Sequence, residues 1–357
     1  MYKKFFQFKG DIKVRLLKIC FAFFFMIISV YTVSEHADIV YADTTAGEQY
    51  SFSVTPLKPG TDEPQESFYD LKVKPGEKVE FKVRIKNFST EEIKVSIAAN
   101  NGSTNQNGIT SYTENAKKDE SLKLAFSDIA SLDSSKVTIG KGEHADIPVT
   151  LQVPDTPFEG TILGGLRFTS PNIQAQAQKK SSGIGNTVSY TIGVVLREDD
   201  TPVEPKMSLE NVVQEQRNGR NYIGLNLQNS APRIIKKLKV DAKIRSKDSE
   251  KVLYMAKNDA MRMAPNSNFN FGISLEDQPF KSGNYIAEVT GTADGNEFSF
   301  KKSFMIKKEA AKKWNENAVF VDEKSGDTSW LYIGMGVLLL MVLILVAYII
   351  FKKKGER

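Results

Sequence analysis

The sequence predicts an all-β chain: two tandem Ig-like β-sandwich domains plus a single C-terminal transmembrane helix. Three observations carry this prediction. Apolar residues between 43 and 308 recur almost everywhere with period two, the signature of half-buried strands. Turn-forming clusters break those runs into short segments, as in an antiparallel sandwich. Finally, Trp330–Phe351 (WLYIGMGVLLLMVLILVAYIIF) carries no charge and no proline. At about 1.5 Å per residue it spans roughly the 30 Å of a bilayer's hydrocarbon core.

At the N-terminus, Lys3, Lys4, Lys9, Lys13, Arg15 and Lys18 precede an apolar run from Ile19 to Val33, and Val40-Tyr41-Ala42 supplies small residues for cleavage. Residues 1–42 are therefore predicted to be a signal peptide, with Asp43 as the mature start; the alternative is a retained N-terminal anchor. Cys20, the only cysteine, belongs to the apolar run. Lys18, two residues before it, does not suit a lipidated cysteine. The mature chain then has no disulfide and depends on well-filled cores.

Charge narrows the partners. The chain has 48 Lys and Arg against 43 Asp and Glu, but residues 1–42 hold 6 and 3 of these and residues 352–357 hold 4 and 1. The remaining 38 and 39 nearly cancel. The basic balance belongs to the targeting segments, so no nucleic-acid partner is expected.

Residues 43–200 form the first predicted sandwich. Val79, Phe81, Val83 and Ile85 alternate with charged residues after the Pro75-Gly76 turn, and Ile93, Val95 and Ile97 repeat the pattern after Asn87–Glu92, read as a hairpin connection. Further alternating runs are Ile147–Val153, Ile162–Phe168 and Val188–Leu196. Gly164-Gly165 lies inside one of them and marks a bulge or a close backbone approach. Asn100–Gly108 and Gln174–Asn186 read as polar loops.

Asp199–Pro205, with two prolines and an acidic run, reads as a boundary. Residues 203–308 form the second sandwich, with alternation through Ile223–Leu227, Leu238–Ile244, Phe269–Leu275, Tyr285–Val289 and Phe298–Ile306. Asn218-Gly219 and Asp294-Gly295 are hairpin turns. This domain carries 18 basic and 12 acidic residues, whereas residues 43–202 carry 17 and 22. Glu309–Asn317 favours a short helix, and residues 309–329 are expected to be a helical and polar stalk. Residues 330–351 are the membrane helix. Lys352, Lys353 and Lys354 put the short tail 352–357 on the cytoplasmic side, leaving everything before Trp330 outside.

The inventory argues against catalysis. The mature chain keeps one histidine, His144, and no cysteine, which excludes thiol nucleophiles and two-histidine zinc motifs. No metal and no cofactor is expected. Paired carboxylates remain open, with Asp119/Glu120 and Asp155/Glu159 as candidates for a wall-glycan hydrolase or transferase. A passive spacer is the third reading.

Several stretches resemble one family. Pro75-Gly76, Thr104–Ile109 (TNQNGI) with Tyr112, and Phe158–Phe168 (FEGTILGGLRF) resemble the first domain of WxL-interacting proteins. Leu227-Gln228-Asn229 and Met263–Phe269 (MAPNSNF) resemble the second, and the resemblance covers nearly all of residues 48–357. It implies a Gram-positive cell-surface protein. The first domain would bind peptidoglycan; the second would bind WxL-domain surface proteins or host extracellular proteins. The chain has no Trp-x-Leu of its own and no Leu-Pro-x-Thr-Gly sorting signal.

The resemblance transfers no contact residues, so the expected sites come from side-chain chemistry. Asn105, Asn107 and Tyr112 offer amides and an aromatic face for a sugar, although the asparagines equally suit simple turns. Lys237, Lys239, Lys243 and Arg245 alternate with Leu238, Val240, Ala242 and Ile244, with only Asp241 opposing them on that face. This basic stripe fits an acidic partner or an edge strand kept from aggregating by lysines.

Overall fold

The computed structural model describes residues 52–65, 67–114, 116–171 and 187–320, with the helical residues Leu340, Met341 and Ile344. All of them lie in the compact unit Tyr50–Arg357. The predicted leader, the loop 174–186, the polar segment 322–329, the tail 352–357 and nearly all of the apolar run 330–351 lie outside the described residues. Among the described residues no helix is long and apolar enough to cross a membrane.

The described residues are mostly β, with two separate buried cores among them. In the first body, β1 (Phe52–Pro56), β3 (Lys78–Asn87), β9 (His144–Gln152) and β7 (Ala130–Leu132) form one sheet in the order β1-β3-β9-β7. The facing sheet has the order β2-β11-β10-β4-β8, from β2 (Phe68–Lys72), β11 (Thr187–Arg197), β10 (Ile162–Pro171), β4 (Ile93–Asn101) and β8 (Lys136–Ile139). All pairs are antiparallel except β2 with β11. The alternating residues meet as predicted: Phe81, Val83, Ile85, Val149 and Leu151 face Ile93, Val95, Leu166, Phe168 and Val194 in one cluster. Burying each such side chain contributes about 1.5–3 kcal/mol before conformational entropy is counted.

Asn87–Glu92 is not a hairpin, because β3 and β4 belong to different sheets. It is an arch between the sheets, held by the buried side chain of Asn87. That amide donates to the carbonyls of Glu91, Ile139 and Gly140 at 2.8, 3.1 and 2.9 Å. Gly164-Gly165 makes no bulge either; β10 keeps continuous register with β11. The two glycines allow close approach instead. A Cβ at Gly164 would stand 1.9 Å from the ring of Phe126, the first residue of the short helix α1 (Phe126–Ile129).

In the second body, β12 (Met207–Arg217), β13 (Arg220–Asn229) and β16 (Ser267–Ser274) form a three-stranded sheet. The facing sheet runs β15-β14-β17-β18, from β15 (Val252–Met263), β14 (Ile235–Ser246), β17 (Gly283–Ala293) and β18 (Asn296–Ile306). Both predicted hairpins form. Asn218 and Gly219 adopt φ of 50° and 76°, and Asp294 and Gly295 adopt 49° and 98°, as tight two-residue turns require. Leu225, Leu227, Val240, Ile244, Phe271 and Val289 fill the core.

The predicted helix forms as α2 (Lys308–Glu316). It docks on the second body rather than starting a free stalk. Ala311 is buried, and Asn315 Oδ1 accepts from Phe280 N at 2.8 Å and Asn221 Nδ2 at 3.1 Å.

Candidate functional site

The stretch between β4 and α1 carries the three residues expected to contact a sugar, Asn105, Asn107 and Tyr112. It forms a small ribbon of β5 (Ser103–Thr104) and β6 (Thr110–Ser111). Asn105 builds its tip. Its Oδ1 accepts from Asn107 N at 2.9 Å and Ile109 N at 3.2 Å, and Gly108 closes the turn at φ +68°. The tip reaches the second body, where Arg262 N donates to Gly108 O at 2.8 Å and Arg217 donates to Gln106 O at 3.4 Å. Asn107 stays exposed.

Tyr112 sits at the other end of this ribbon. Strand register places Gly165 directly opposite Gly193, leaving bare backbone on the outer face of the five-stranded sheet. Tyr112 occupies that space: a Cβ at Gly165 would stand 2.7 Å from its ring, and one at Gly193 would stand 3.3 Å from its hydroxyl. Asn100 Nδ2 holds the Tyr112 carbonyl at 3.0 Å. The side chain is half-buried, and burial pushes its phenol pKa up. The structure therefore does not gather Asn105, Asn107 and Tyr112 at one spot; tip and base of the ribbon have different neighbours.

Asp119 is the residue that sequence reading placed least well. Taken alone it is an acid in a polar loop; in the fold it is 7% exposed at the junction of the two bodies. Ser121 N and Oγ donate to it at 2.9 and 2.6 Å, Gln228 Nε2 at 2.9 Å, and Asn268 Nδ2 also donates. Burial pushes its pKa up, but hydrogen bonds from Ser121, Asn268 and Gln228 outweigh that and hold it below the usual value. Around it, Thr104 Oγ1 meets Ser267 Oγ at 2.7 Å, Ala264 N donates to Thr104 Oγ1 at 3.0 Å, and Asn266 Nδ2 donates to Ser121 O at 3.1 Å. No signal in the sequence pairs these residues of the two bodies across 109 or more positions.

The other acids considered for catalysis, Glu120, Asp155 and Glu159, are exposed. His144 is exposed at the start of β9. Among the described residues no group of three or more His, Cys, Asp or Glu could hold a metal ion.

On the second body, Lys237, Lys239 and Lys243 are exposed on the outer face of β14. Arg245 departs from the predicted stripe. It is 8% exposed, and its guanidinium bonds Glu288 at 3.2 Å and Glu250 at 3.3 Å. Nor is β14 an edge; it lies between β15 and β17. Its lysines therefore do not guard an open strand. A cleft of about 730 Å³ opens beside this face, lined by Phe68, Asp70 and Arg197 of the first body and by Arg233, Lys237 and Asp294 of the second. Most of its charge is already neutralised, since Arg197 pairs with Asp70 and Asp200, and Arg233 with Asp294.

Two family models match the chain. Residues 52–170 match "WxL Interacting Protein, peptidoglycan binding domain" and residues 179–316 match "WxL Interacting Protein, host binding domain". The second match starts upstream of β11, which packs in the first core. No curated protein sequence matches the chain. Solved structures with some likeness include the E. coli chaperone DraB (11% identity, 72% of this chain and 98% of that one, TM-score 0.28). The Pseudomonas aeruginosa CupB2 chaperone (11%, 63% and 92%, 0.26) and a PapD-like domain of human CEP192 (8%, 43% and 87%, 0.26) are two others. Likeness at this level carries no argument.

Proposed function

From the premise that this chain belongs to the WxL-interacting protein family, we propose that it is a non-catalytic cell-surface scaffold anchored in the membrane. The first body, within residues 43–200, holds peptidoglycan. The second, within residues 203–308, holds WxL-domain surface proteins or host extracellular proteins. The two bodies are Ig-like sandwiches, and the apolar run 330–351 anchors the chain with its tail inside.

The observation that carries this reading is the match of two binding families to two stretches that, β11 apart, supply two separate hydrophobic cores. Both matched families are binding modules, which supports a role without turnover. The hydrolase reading is weakened at its first candidate: Asp119 is buried under donors from Ser121 of its own loop and Gln228 of the second body.

Crosslinking in intact cells, followed by purification of the full chain under denaturing conditions, tests the proposal. Recovery of muropeptides together with a WxL-domain or host protein is expected. Recovery of the chain with neither would contradict it.

A further inference from the structure

The outer face of the five-stranded sheet has an unusual composition. Across four strands, one row reads Phe68, Gly193, Gly165 and Asn100 in register. The two central positions have no side chain, and Tyr112 lies over them. Phe68 comes to Gly193 from the opposite side, with its Cβ 3.7 Å from where a Gly193 Cβ would be. Two aromatic side chains thus border the same strip of bare backbone. Phe68 is 43% exposed. Leaving so large an apolar ring in water forfeits burial energy that the neighbouring Tyr69, fully buried, does gain.

One row further along, Arg167 stands opposite Thr191. Its guanidinium donates to Ser189 Oγ at 3.3 Å, and Ser189 Oγ also meets Thr169 Oγ1 at 3.1 Å. Among the described residues no carboxylate lies within ion-pair distance of Arg167. Asp70, the acid at the sheet's near edge, is taken by Arg197. The face therefore presents aromatic rings, a group of hydroxyls and one uncompensated guanidinium.

We propose that this face binds a carboxylate-bearing amino-sugar strand, with Phe68 and Tyr112 as platforms for sugar rings and Arg167 as the carboxylate contact. Pyranose rings have apolar C–H faces that lie against aromatic rings, and their hydroxyls and acetamido groups exchange hydrogen bonds with Thr191 and Ser189. A guanidinium matches a carboxylate with two parallel hydrogen bonds, which sets this ligand apart from a neutral glycan. The inference rests on the peptidoglycan reading of the first body and names its site. An acidic peptide would use Arg167 but gain nothing specific from the strip of bare backbone between two rings.

The test is retention of the full chain, in detergent, on insoluble peptidoglycan, on the same material with its carboxyls amidated, and on chitin. Arg167→Gln and Phe68→Ala are compared with wild type, with Lys251→Gln in the second body as control. Each of the first two should weaken retention on peptidoglycan about tenfold, and the control should not. On amidated peptidoglycan or chitin the Arg167→Gln loss should vanish, whereas the Phe68→Ala loss should persist. Wild-type retention that both folded variants match would overturn this site while leaving the first body a peptidoglycan binder. Failure of wild type itself to be retained would overturn the reading and the site together. A loss for Arg167→Gln that is as large on chitin would overturn its role as a carboxylate contact. Both side chains are on the surface, so melting curves confirm folding; if one variant unfolds, the other decides.

Discussion

Gln228 donates its side-chain amide to both carboxylate oxygens of Asp119, at 2.9 and 3.1 Å, joining the two bodies through residues 109 positions apart in sequence. Gln228 belongs to one of the stretches that carry the family resemblance. So do Thr104 on one side of the junction and Ala264, Asn266, Ser267 and Asn268 on the other. These stretches read as separate fingerprints of two domains; in three dimensions they touch. The junction is polar but well satisfied, which makes the partners of Asp119 costly to remove.

Replacing Asp119 by Ala should destabilise the chain by about 1–3 kcal/mol, since it leaves buried amide and hydroxyl donors without an acceptor. The effect should depend on pH. The folded pKa of Asp119 is held below its ordinary 3.8, so its ionised form adds stability that is complete above that value and lost as pH falls below it. Melting curves should show the gap between wild type and Asp119→Ala at pH 7 shrinking once the pH is below 3.8.

The interior of the first body allows no side chain at Gly164. Gly164→Ala forces its Cβ into the Phe126 ring and should cost about 1–3 kcal/mol. Thermal unfolding of the purified variant measures it. An unchanged melting temperature would mean that α1 yields freely.

Asn87→Ala should be comparably harmful, although it deletes only one amide. It leaves the carbonyls of Glu91, Ile139 and Gly140 without this donor and removes the acceptor of Ser89 N and Oγ. A loss of about 1–3 kcal/mol is expected, read as a lower urea midpoint with an unchanged slope.

Much of the fold is legible in the sequence because alternation reports which side of a strand is wet. Val79–Ile85, Ile147–Val153 and Leu238–Ile244 declare themselves in this way. The alternation of β12 and β15 is harder to read, because their pairing shifts register near Leu209 and opposite Leu238 and Ile244, which breaks the period-two pattern. Period two also does not say which strand is the neighbour. That is why Asn87–Glu92 reads as a hairpin although it spans two sheets, and why β14 reads as an edge although it is central. Arg245 shares the parity of Lys243, yet Glu288 and Glu250 draw it under cover. Asp119 gives no local sign of its role, since its partners come from another core.

The basic face of β14 leads to a kinetic prediction. Changing Lys237, Lys239 and Lys243 to Glu should slow association with an acidic WxL-domain protein and flatten or invert its salt dependence, with little effect on folding. Arg245 is left intact because its buried guanidinium is already paired with Glu288 and Glu250. Association rates at two salt concentrations decide the point; an unchanged rate in the folded triple variant would remove this face from the interface.

The central claim is binding of the wall without turnover. Its most direct measurement is incubation of the full chain, in detergent, with fluorescently labelled insoluble peptidoglycan, following both the pelleted chain and the label released to solution. The account predicts that the chain is retained in the pellet and that released label stays at the level of a protein-free control. Label released in proportion to added protein, or a chain left wholly in the supernatant, would contradict it.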